Sequence, residues 1–424
     1  MSLFTPFLLL LALLRTPLFV VIAASAMLGF YNSEIDLSVI SIEIYRLADM
    51  SVLLAIPLFT FAGYLLGESQ ASTRLVNITN CLLGWMPGGL AIVAIFACAL
   101  FTAFTGASGI TIIALGALLY PALQQSGYSE KFNLGLLTSS GSLGLLFAPS
   151  LPLILYGVVA QQMSLDEPVG IDQLFIAGIF PGLLMLTMLA VYSMLQPGIK
   201  RQAESFDWAT TIAAIKAAKW EIPLPVIILG GIYGGYFAVS EAAAVTAVYV
   251  LIVEVLILKE IGFRQLTVIM RESMVLVGGI MIIIGASLAS TNYLIDAEIP
   301  TQLFDFIQQH IDNKLTFLIL LNLFLLVLGM MLDIFSALVI FVPIILPIAM
   351  GYDIHPIHLG IIFLANMQLG YFTPPVGMNL FIASYRFHKP VMTLYKATIP
   401  FFLILLIAVL VITYWPGLSL ALLS

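Results

Sequence analysis

Long apolar runs, separated by short polar stretches, occupy the chain from end to end. A transmembrane helix needs about 20 predominantly apolar residues. Runs near that length predict membrane-spanning helices at Leu3–Phe30, Val52–Leu66, Gly89–Phe104, Phe132–Val159, Leu174–Leu195, Pro223–Val239, Ala242–Leu258, Met274–Ser290, Leu315–Met331, Ile357–Phe381 and Ile399–Tyr414. Two further apolar segments, Ile110–Leu123 and Ile334–Met350, are short or interrupted by proline. Because no large polar domain interrupts the series, the pattern predicts an all-α polytopic membrane protein.

The segment from residue 203 to residue 221 has a different pattern, in which apolar and polar residues alternate with helical spacing. Lys216 and Lys219 lie in the same segment as Trp208 and Trp220. Such a composition is typical of a helix in the lipid headgroup layer. Since the segment is in the middle of the chain, we expect an arm that joins two halves.

Composition supports the membrane interpretation. The chain has 424 residues, of which 62% are hydrophobic and 9% charged, whereas a soluble domain carries roughly 25% charged residues. No basic patch with interleaved aromatic residues is present, so nucleic acid is not an expected partner. The two cysteines and four histidines do not have the spacing of metal ligands.

Charged residues near the apolar runs give further expectations. Arg15 lies inside the first run, which lacks a basic start, so we expect that run to remain as an uncleaved anchor. Basic residues cluster in the loops near positions 200–219, 259–271 and 386–396, which are therefore predicted to face the cytoplasm. Glu254 is expected to extend towards the loop that contains Lys259.

An internal repeat is the most informative feature. Pro121, Gly135 and Pro149 in the first half have counterparts 225 or 226 positions later, at Pro347, Gly360 and Pro374. In each half, a polar tip (residues 105–111, or Asp333 with Ser336) precedes a segment rich in glycine and proline (144–152, or 370–377). Prolines, glycines and polar residues at matched positions in the two halves are typical of transporters built from two repeats.

Proline and glycine within an apolar run predict a helix that breaks inside the membrane. The freed carbonyl groups must then line a protein cavity, where they suit a small cation, and freed amide groups suit an anion. The alternative is a pair of purely structural kinks, because glycine and proline are common in membrane helices. Two breaks at matched positions favour the binding interpretation.

Several motifs resemble one known family. They are Gly-Ala-Ser-Gly (106–109), Gly-Leu-Leu-Phe-Ala-Pro-Ser (144–150), Ser-Glu-Ala-Ala-Ala (240–244), Gly-Met-Met-Leu-Asp (329–333) and Leu-Gly-Tyr-Phe-Thr-Pro-Pro-Val-Gly-Met-Asn (369–379). Together they are similar to the large membrane subunit of tripartite ATP-independent periplasmic (TRAP) transporters. The resemblance covers nearly the whole chain. One departure is Ala148-Pro149, where the family commonly has two prolines.

The resemblance implies an elevator-type transporter with two inverted repeats, re-entrant hairpins and broken helices, in the bacterial inner membrane. It implies sodium-driven uptake of a small organic anion, such as sialic acid, a dicarboxylate or a sulfonate. The implied partners are a small four-helix membrane subunit and a periplasmic substrate-binding protein. The expected domains are a scaffold (1–86), a first transport repeat (87–165), a scaffold with the arm helix (166–314), a second transport repeat (315–385) and a C-terminal span (386–424).

Carrying the family's roles onto matching positions gives two candidate sodium sites. The first consists of Ser108, Gly144, Phe147 and Ser150, and the second of Gly329, Gly370, Thr373 and Val376.

The substrate-binding candidates are Thr111, Ser140, Asp333, Ser336, Asn366 and Asn379. An ionised carboxylate such as that of Asp333 is costly within a bilayer and therefore a functional candidate. Alternatively, Asp333 caps the helix that follows it. Asn366 and Asn379 would either contact substrate or satisfy the broken backbone.

Three other functions stay open at this point. A stand-alone elevator carrier for carboxylates would share the repeats but need no partners. A passive channel would show no dependence on a sodium gradient. An intramembrane enzyme is disfavoured, since the sequence has no His-Glu-x-x-His motif and Asp333 has no evident partner aspartate.

Overall fold

The computed structural model describes residues 16–86, 88–163, 169–196, 207–311 and 313–423. Within these ranges the chain is almost entirely helical and has no strand. The helices are α1 (Leu18–Asn32), α2 (Ser38–Arg46), α3 (Ala55–Glu68), α4 (Ala71–Leu83), α5 (Gly89–Thr105), α6 (Ser108–Gln125), α7 (Glu130–Ser140), α8 (Leu151–Gln161), α9 (Ile171–Ala177), α10 (Ile179–Met194), α11 (Trp208–Ala217), α12 (Pro223–Tyr233), α13 (Val239–Leu251), α14 (Phe263–Asp296), α15 (Ile299–Gln308), α16 (Lys314–Met331), α17 (Ile334–Gly351), α18 (Pro356–Gly370), α19 (Met378–Phe387), α20 (Val391–Tyr414) and α21 (Gly417–Leu420). Short 3₁₀ turns occupy Leu47–Asp49, Ser51–Leu54 and Leu143–Leu146, and a π-helical turn, Ile252–Ile257, continues α13.

The prediction of a polytopic helical membrane protein is confirmed. Within the described ranges, eight helices are long and apolar enough to cross a membrane, and α7 with α8 forms a ninth, bent by 42° at its break. Residues 1–15, which include Arg15 and nearly half of the predicted first span, lie outside the described ranges. The predicted span Pro223–Val239 is shorter than expected, because α12 ends at Tyr233 before Gly235, whose φ is +70°.

The first repeat consists of a helical hairpin and a broken helix. Helices α5 and α6 form the hairpin, which turns at Gly106 with a φ of +66°. A Cβ atom at Gly106 would lie 2.5 Å from the Leu151 side chain, so the hairpin tip packs directly on the start of α8. Helix α7, the 3₁₀ turn and α8 form the broken helix, whose backbone is interrupted at residues 147–150.

The second repeat has the same order of elements. Helices α16 and α17 form its hairpin, with Leu332 and Asp333 at the tip, and α18 and α19 form its broken helix around residues 371–377. Both breaks contain a cis X–Pro peptide, Ala148–Pro149 and Pro374–Pro375. The breaks predicted from the proline and glycine pattern are therefore confirmed.

The two broken helices run in opposite directions. The Glu130 carboxylate at the start of α7 forms an ion pair with Lys389, just beyond the end of α19. At the other end, the Tyr156 hydroxyl of α8 donates a hydrogen bond of 2.6 Å to the Pro356 carbonyl, where α18 begins. This arrangement confirms the predicted inverted repeats.

The remaining long helices pack around the repeats. Helix α3 packs against α13 and α14, and α14 also packs against α1. Helix α3 approaches the first hairpin at Gly63, where a Cβ atom would lie 2.6 Å from the Thr105 Cα atom. The predicted arm contains α11, which begins at Trp208 after Asp207 caps it, while residues 203–206 lie outside the described ranges. The headgroup location of α11 and the domain boundaries stay predictions.

The expectation for Glu254 is wrong. Its side chain does not extend towards Lys259, but is buried with 1% exposure beside Arg74 of α4, whose Nη2 atom lies 3.7 Å from Glu254 Oε2. Arg74 also pairs with Glu221 at 2.5 Å and with Glu260. Glu254 lies in the π-helical turn, so the local change in helical pitch directs it at α4.

Candidate ion and substrate site

The first break holds three residues of the first candidate sodium site, Gly144, Phe147 and Ser150, in one unwound segment beside the first hairpin, and the fourth, Ser108, lies at the tip of that hairpin. Gly144 lies against α5 so closely that a Cβ atom would be 2.1 Å from the Ala99 carbonyl oxygen. The Gly144 carbonyl accepts a hydrogen bond of 3.0 Å from the Phe147 amide. The Ser150 hydroxyl donates to the Leu145 carbonyl at 2.5 Å, and Ser108 begins the second arm of the hairpin.

The second break repeats this construction against α16. A Cβ atom on Gly370 would lie 2.4 Å from Gly329 Cα, so these two predicted ligands are in backbone contact. The Gly370 carbonyl accepts a hydrogen bond of 3.0 Å from the Thr373 amide, and the Thr373 hydroxyl donates to the Leu369 carbonyl at 2.6 Å. Beyond the prolines, the Gly377 amide donates to the Met330 carbonyl at 3.0 Å, which ties the break to the hairpin tip.

The two breaks match residue by residue. The same offset of 226 residues relates the ligands of the two candidate sites: positions 144, 147 and 150 correspond to 370, 373 and 376. The backbone hydrogen bond from residue 147 to residue 144 likewise has its counterpart from residue 373 to residue 370. A carbonyl oxygen has two lone pairs, so one that accepts a single hydrogen bond can also coordinate a cation. Oxygen ligands of this kind, gathered where the helix is unwound, fit the chemistry of a small hard cation.

The two sites differ in exposure. Gly144 and Ser150 are buried and Phe147 is half-buried, whereas Thr373 is half-buried and Val376 is 42% exposed. The second break therefore faces outward from the chain, while the first is enclosed. This difference could not be predicted from the matched sequence motifs.

One side-chain hydrogen bond joins the tip of the first hairpin to the segment just beyond the second break. The Ser108 hydroxyl of the first hairpin donates to Asn379 Oδ1 at 2.8 Å, just beyond the second break. Asn379 Nδ2 in turn donates to the Thr138 carbonyl of α7 at 3.3 Å. Asn379 is completely buried, so it connects the two repeats rather than capping its own break.

Asp333 and Ser336 lie together at the tip of the second hairpin. Asp333 Oδ1 accepts from the Ser336 amide at 2.9 Å, and Oδ2 accepts from the Ser336 hydroxyl at 2.6 Å. The capping interpretation of Asp333 is therefore confirmed. The neighbouring Tyr371 hydroxyl accepts a hydrogen bond of 2.7 Å from the Ile334 amide, which fixes the tip against the second break.

The other substrate candidates are not grouped with this tip. Thr111 is buried and pairs with the Thr102 hydroxyl at 2.6 Å beneath the first hairpin. The Ser140 hydroxyl bonds within α7, to the Leu136 carbonyl. Asn366 Nδ2 donates to Asn322 Oδ1 of α16 at 2.7 Å, in a separate buried cluster.

Sequence reasoning missed a polar contact between the breaks. The Ser142 hydroxyl donates to the Gln368 carbonyl at 3.3 Å, and both side chains are completely buried. Ser142 and Gln368 are 226 positions apart, so the repeat offset that matched the two breaks could have identified them.

A cavity of about 260 Å³ lies beside the first break. Phe147 and Ala148 form part of its wall, together with residues of α5, α10 and α12, and Tyr233 is the only lining side chain with a polar group. Because recognition of a small anion needs several hydrogen-bond donors, this cavity does not suit the organic anion that the family resemblance implies.

These features define the chain as a multi-pass helical membrane protein built from two inverted repeats with paired helix breaks. Comparison with solved structures gives the same fold. The transporter YdaH of Alcanivorax borkumensis superposes with a TM-score of 0.63, covering 89% of this chain and 87% of that one, at 14% sequence identity.

Comparison of sequences identifies the family. Residues 4–418 match the family model described as "Tripartite ATP-independent periplasmic transporter, DctM component". A C4-dicarboxylate TRAP transporter large permease protein of Pseudomonas aeruginosa is 34% identical over 388 residues, covering 90% of this chain and 88% of the relative. An isethionate TRAP transporter permease protein of Oleidesulfovibrio alaskensis is 33% identical over 372 residues, covering 87% of this chain and 58% of that longer protein.

The chain therefore belongs to the DctM family, the large permease component of tripartite ATP-independent periplasmic transporters. The predicted family is confirmed, and with it a transport rather than an enzymatic role and a multi-pass location in the inner membrane.

Proposed function

We propose that this permease imports a small organic anion, a carboxylate or a sulfonate, and that sodium ions drive the uptake. The observation that carries the proposal is the pair of matched breaks, in which the 144–150 and 370–376 segments each present unwound backbone carbonyls beside a hairpin tip. One sodium ion would bind at Ser108, Gly144, Phe147 and Ser150, and another at Gly329, Gly370, Thr373 and Val376.

The substrate would bind near the hairpin tips. Amide groups at the starts of α8 and α19 supply the positive end of a helix dipole, which favours an anion. Two similar permeases have names that specify a C4-dicarboxylate and isethionate, which carry carboxylate and sulfonate groups. Of the substrate candidates, Asp333 and Ser336 would lie nearest the exposed second break, whereas Thr111, Ser140 and Asn366 would act from behind it.

A periplasmic binding protein would deliver the anion, and a small four-helix membrane subunit would support the scaffold helices. The family description itself names a tripartite, periplasmic system. In the elevator mechanism that we propose, the two repeats move together as one body, because Ser108, Asn379 and Thr138 join them. The remaining helices would stay fixed in the bilayer.

The test is uptake in proteoliposomes that contain this chain with its small subunit. Labelled organic acids are screened with and without an inward sodium gradient, and with and without the cognate binding protein. We expect accumulation that requires both sodium and the binding protein. Accumulation without the binding protein would instead identify a stand-alone carrier, and flux that ignores the gradient would identify a channel.

Thr373→Ala with Gly370→Leu tests the second sodium site in the same assay. We expect the half-saturating sodium concentration for uptake to rise at least tenfold. Unchanged sodium dependence in folded protein would show that the second-half assignment is wrong.

A further inference from the structure

Gln368 is completely buried, and neither Oε1 nor Nε2 of its side chain has a hydrogen-bond partner among the residues that the structure describes. Leaving a buried polar group unpaired costs about 1–3 kcal/mol. A side chain of similar length without polar atoms, such as methionine, would avoid that cost. The amide at this position therefore points to a ligand other than the protein itself.

Gln368 meets the first repeat through its backbone, and helix geometry indicates the direction of its side chain. Residues two positions apart on an α-helix project about 200° apart, and Asn366 projects towards Asn322 of α16. Helix geometry thus directs the Gln368 side chain away from α16, while the backbone carbonyl of the same residue accepts the hydrogen bond from Ser142 of the first repeat. Ser142 donates weakly in two directions, at 3.3 Å to Gln368 and at 3.4 Å to the Ser139 carbonyl.

The location of this contact relates it to both candidate ion sites. Ser142 lies two residues before Gly144, and Gln368 lies two residues before Gly370. The two positions are equivalent in the two repeats, so the contact lies between the breaks and next to a predicted sodium ligand on each side.

We propose that Gln368 and Ser142 hold an ordered water molecule between the two breaks, and that Gln368 is a positioning residue that makes sodium binding at the two sites cooperative. A water molecule both donates and accepts hydrogen bonds, so it satisfies Oε1 and Nε2 together. A sodium ion would satisfy only Oε1. The inference rests on the proposed function, because it requires a sodium ion in each half.

Cooperativity follows from the geometry. Binding of a cation at Gly144 orders the backbone on one side of the shared water, and the same water then holds the Gly370 segment. A second ion meets a segment that is already ordered, and its binding therefore costs less conformational entropy.

The experiment is a sodium titration of uptake by the complex of this chain with its small subunit and binding protein. We compare Gln368→Met and Ser142→Ala with the matched control Gln162→Met, because Gln162 is a second glutamine whose Nε2 has no partner among the described residues, and it lies just beyond the C-terminal end of α8. We expect a Hill coefficient near 2 in the unmodified chain and the control. In Gln368→Met and Ser142→Ala we expect a value near 1, with the half-saturating sodium concentration raised several-fold.

A merely structural role would lower the maximal rate without changing the Hill coefficient. A Hill coefficient that stays near 2 in Gln368→Met would overturn the inference and leave the proposed function intact. If Gln368→Met does not fold, the Hill coefficient of Ser142→Ala decides the question, and a value that stays near 2 would overturn the inference. If uptake by the unmodified complex does not depend on sodium at all, the proposed function itself is overturned.

Discussion

At the scale of single residues, the carboxylate of Asp333 forms structural contacts at the tip of the second hairpin. Both of its oxygens accept hydrogen bonds from Ser336, one from the amide and one from the hydroxyl. The carboxylate lies at the N-terminus of α17, where the helix dipole favours a negative charge. These contacts explain the residue as the N-cap of α17.

Asp333→Asn and Asp333→Ala distinguish a capping role of this side chain from a role of its negative charge in transport. Asparagine is an equally good N-cap residue, whereas alanine costs about 0.5–2 kcal/mol. We expect Asp333→Asn to keep its melting temperature and to transport within about twofold of the unmodified chain, and Asp333→Ala to melt at a lower temperature. Thermal unfolding of the purified protein and initial uptake rates check both statements. Loss of uptake in a stable Asp333→Asn protein would show that the charge itself takes part in transport.

The residue scale is also where sequence reasoning was least decisive. For Asp333 the sequence allowed both a cap and an intramembrane charge, since the choice depends on where Ser336 points. Glu254 was predicted to reach the loop, and its burial beside Arg74 depends on a π-helical turn that the apolar pattern does not reveal. Asn366 and Asn379 were treated alike, although tertiary packing directs one to α16 and the other to α6 and α7.

At the scale of elements, each broken helix is held in contact with one arm of its own hairpin by a glycine. Gly144 meets the backbone of α5, and Gly370 meets the backbone of α16 at Gly329. Backbone atoms cannot move aside as a flexible side chain can. The close contact, as well as the prolines, therefore maintains the geometry of each break.

We expect alanine at these glycines to lower the stability of the folded chain, and alanine at a control glycine to raise it. In Gly144→Ala the new Cβ would lie 2.1 Å from a carbonyl oxygen, and overpacking of this kind typically costs about 1–3 kcal/mol. Gly278 lies within α14 with nothing within 4 Å of its Cβ position, so Gly278→Ala should stabilise by roughly 0.5–1 kcal/mol. Thermal unfolding in detergent measures both. Equal melting temperatures for the two variants would contradict the packing described here.

The sequence predicted these elements well because their causes are local. Proline and glycine act within a few residues, so the positions of both breaks and hairpin tips followed from the pattern around 105–111, 144–152 and 370–377. The same pattern could not show which arm of the hairpin each glycine contacts. It also could not show that the first break is enclosed and the second exposed, because that depends on helices distant in sequence.

At the scale of the whole molecule, a buried cluster around Arg74 joins segments that are distant in sequence. Its guanidinium pairs with Glu221 before α12, Glu254 at the end of α13 and Glu260 before α14. Burial raises the pKa of Glu260, but the hydrogen bonds from Arg74 and the Gln70 amide outweigh it, so the pKa lies below its usual value. This cluster holds together helices that, in the proposed mechanism, stay fixed while the repeats move.

Removing the central cation tests the cluster. Arg74→Met leaves Glu221 and Glu254 buried without a counter-charge, and breaking a buried ion pair in this way costs about 3–5 kcal/mol. Lys389→Met is the matched control, because it breaks the exposed pair with Glu130, in which water screens the attraction between the two charges. We expect a large drop in melting temperature only for Arg74→Met, with partial recovery when Glu254→Gln is added, since one buried charge is then removed. Similar melting temperatures for Arg74→Met and Lys389→Met would show that the cluster does not stabilise the scaffold.

The same cluster predicts how stability depends on pH. Because the pKa of Glu260 is lower in the folded chain than its ordinary value of 4.5, its contribution is complete above that value and is lost as the pH falls through the lowered pKa. We therefore expect the melting temperature of the unmodified chain to fall on acidification below about pH 4.5, with a shallower fall in Glu260→Gln, which has no proton to take up at that position. Melting curves measured at steps of pH compare the two slopes. Parallel curves for the two proteins would mean that the Arg74–Glu260 pair makes no pH-dependent contribution, and that other carboxylates govern the acid stability of the scaffold.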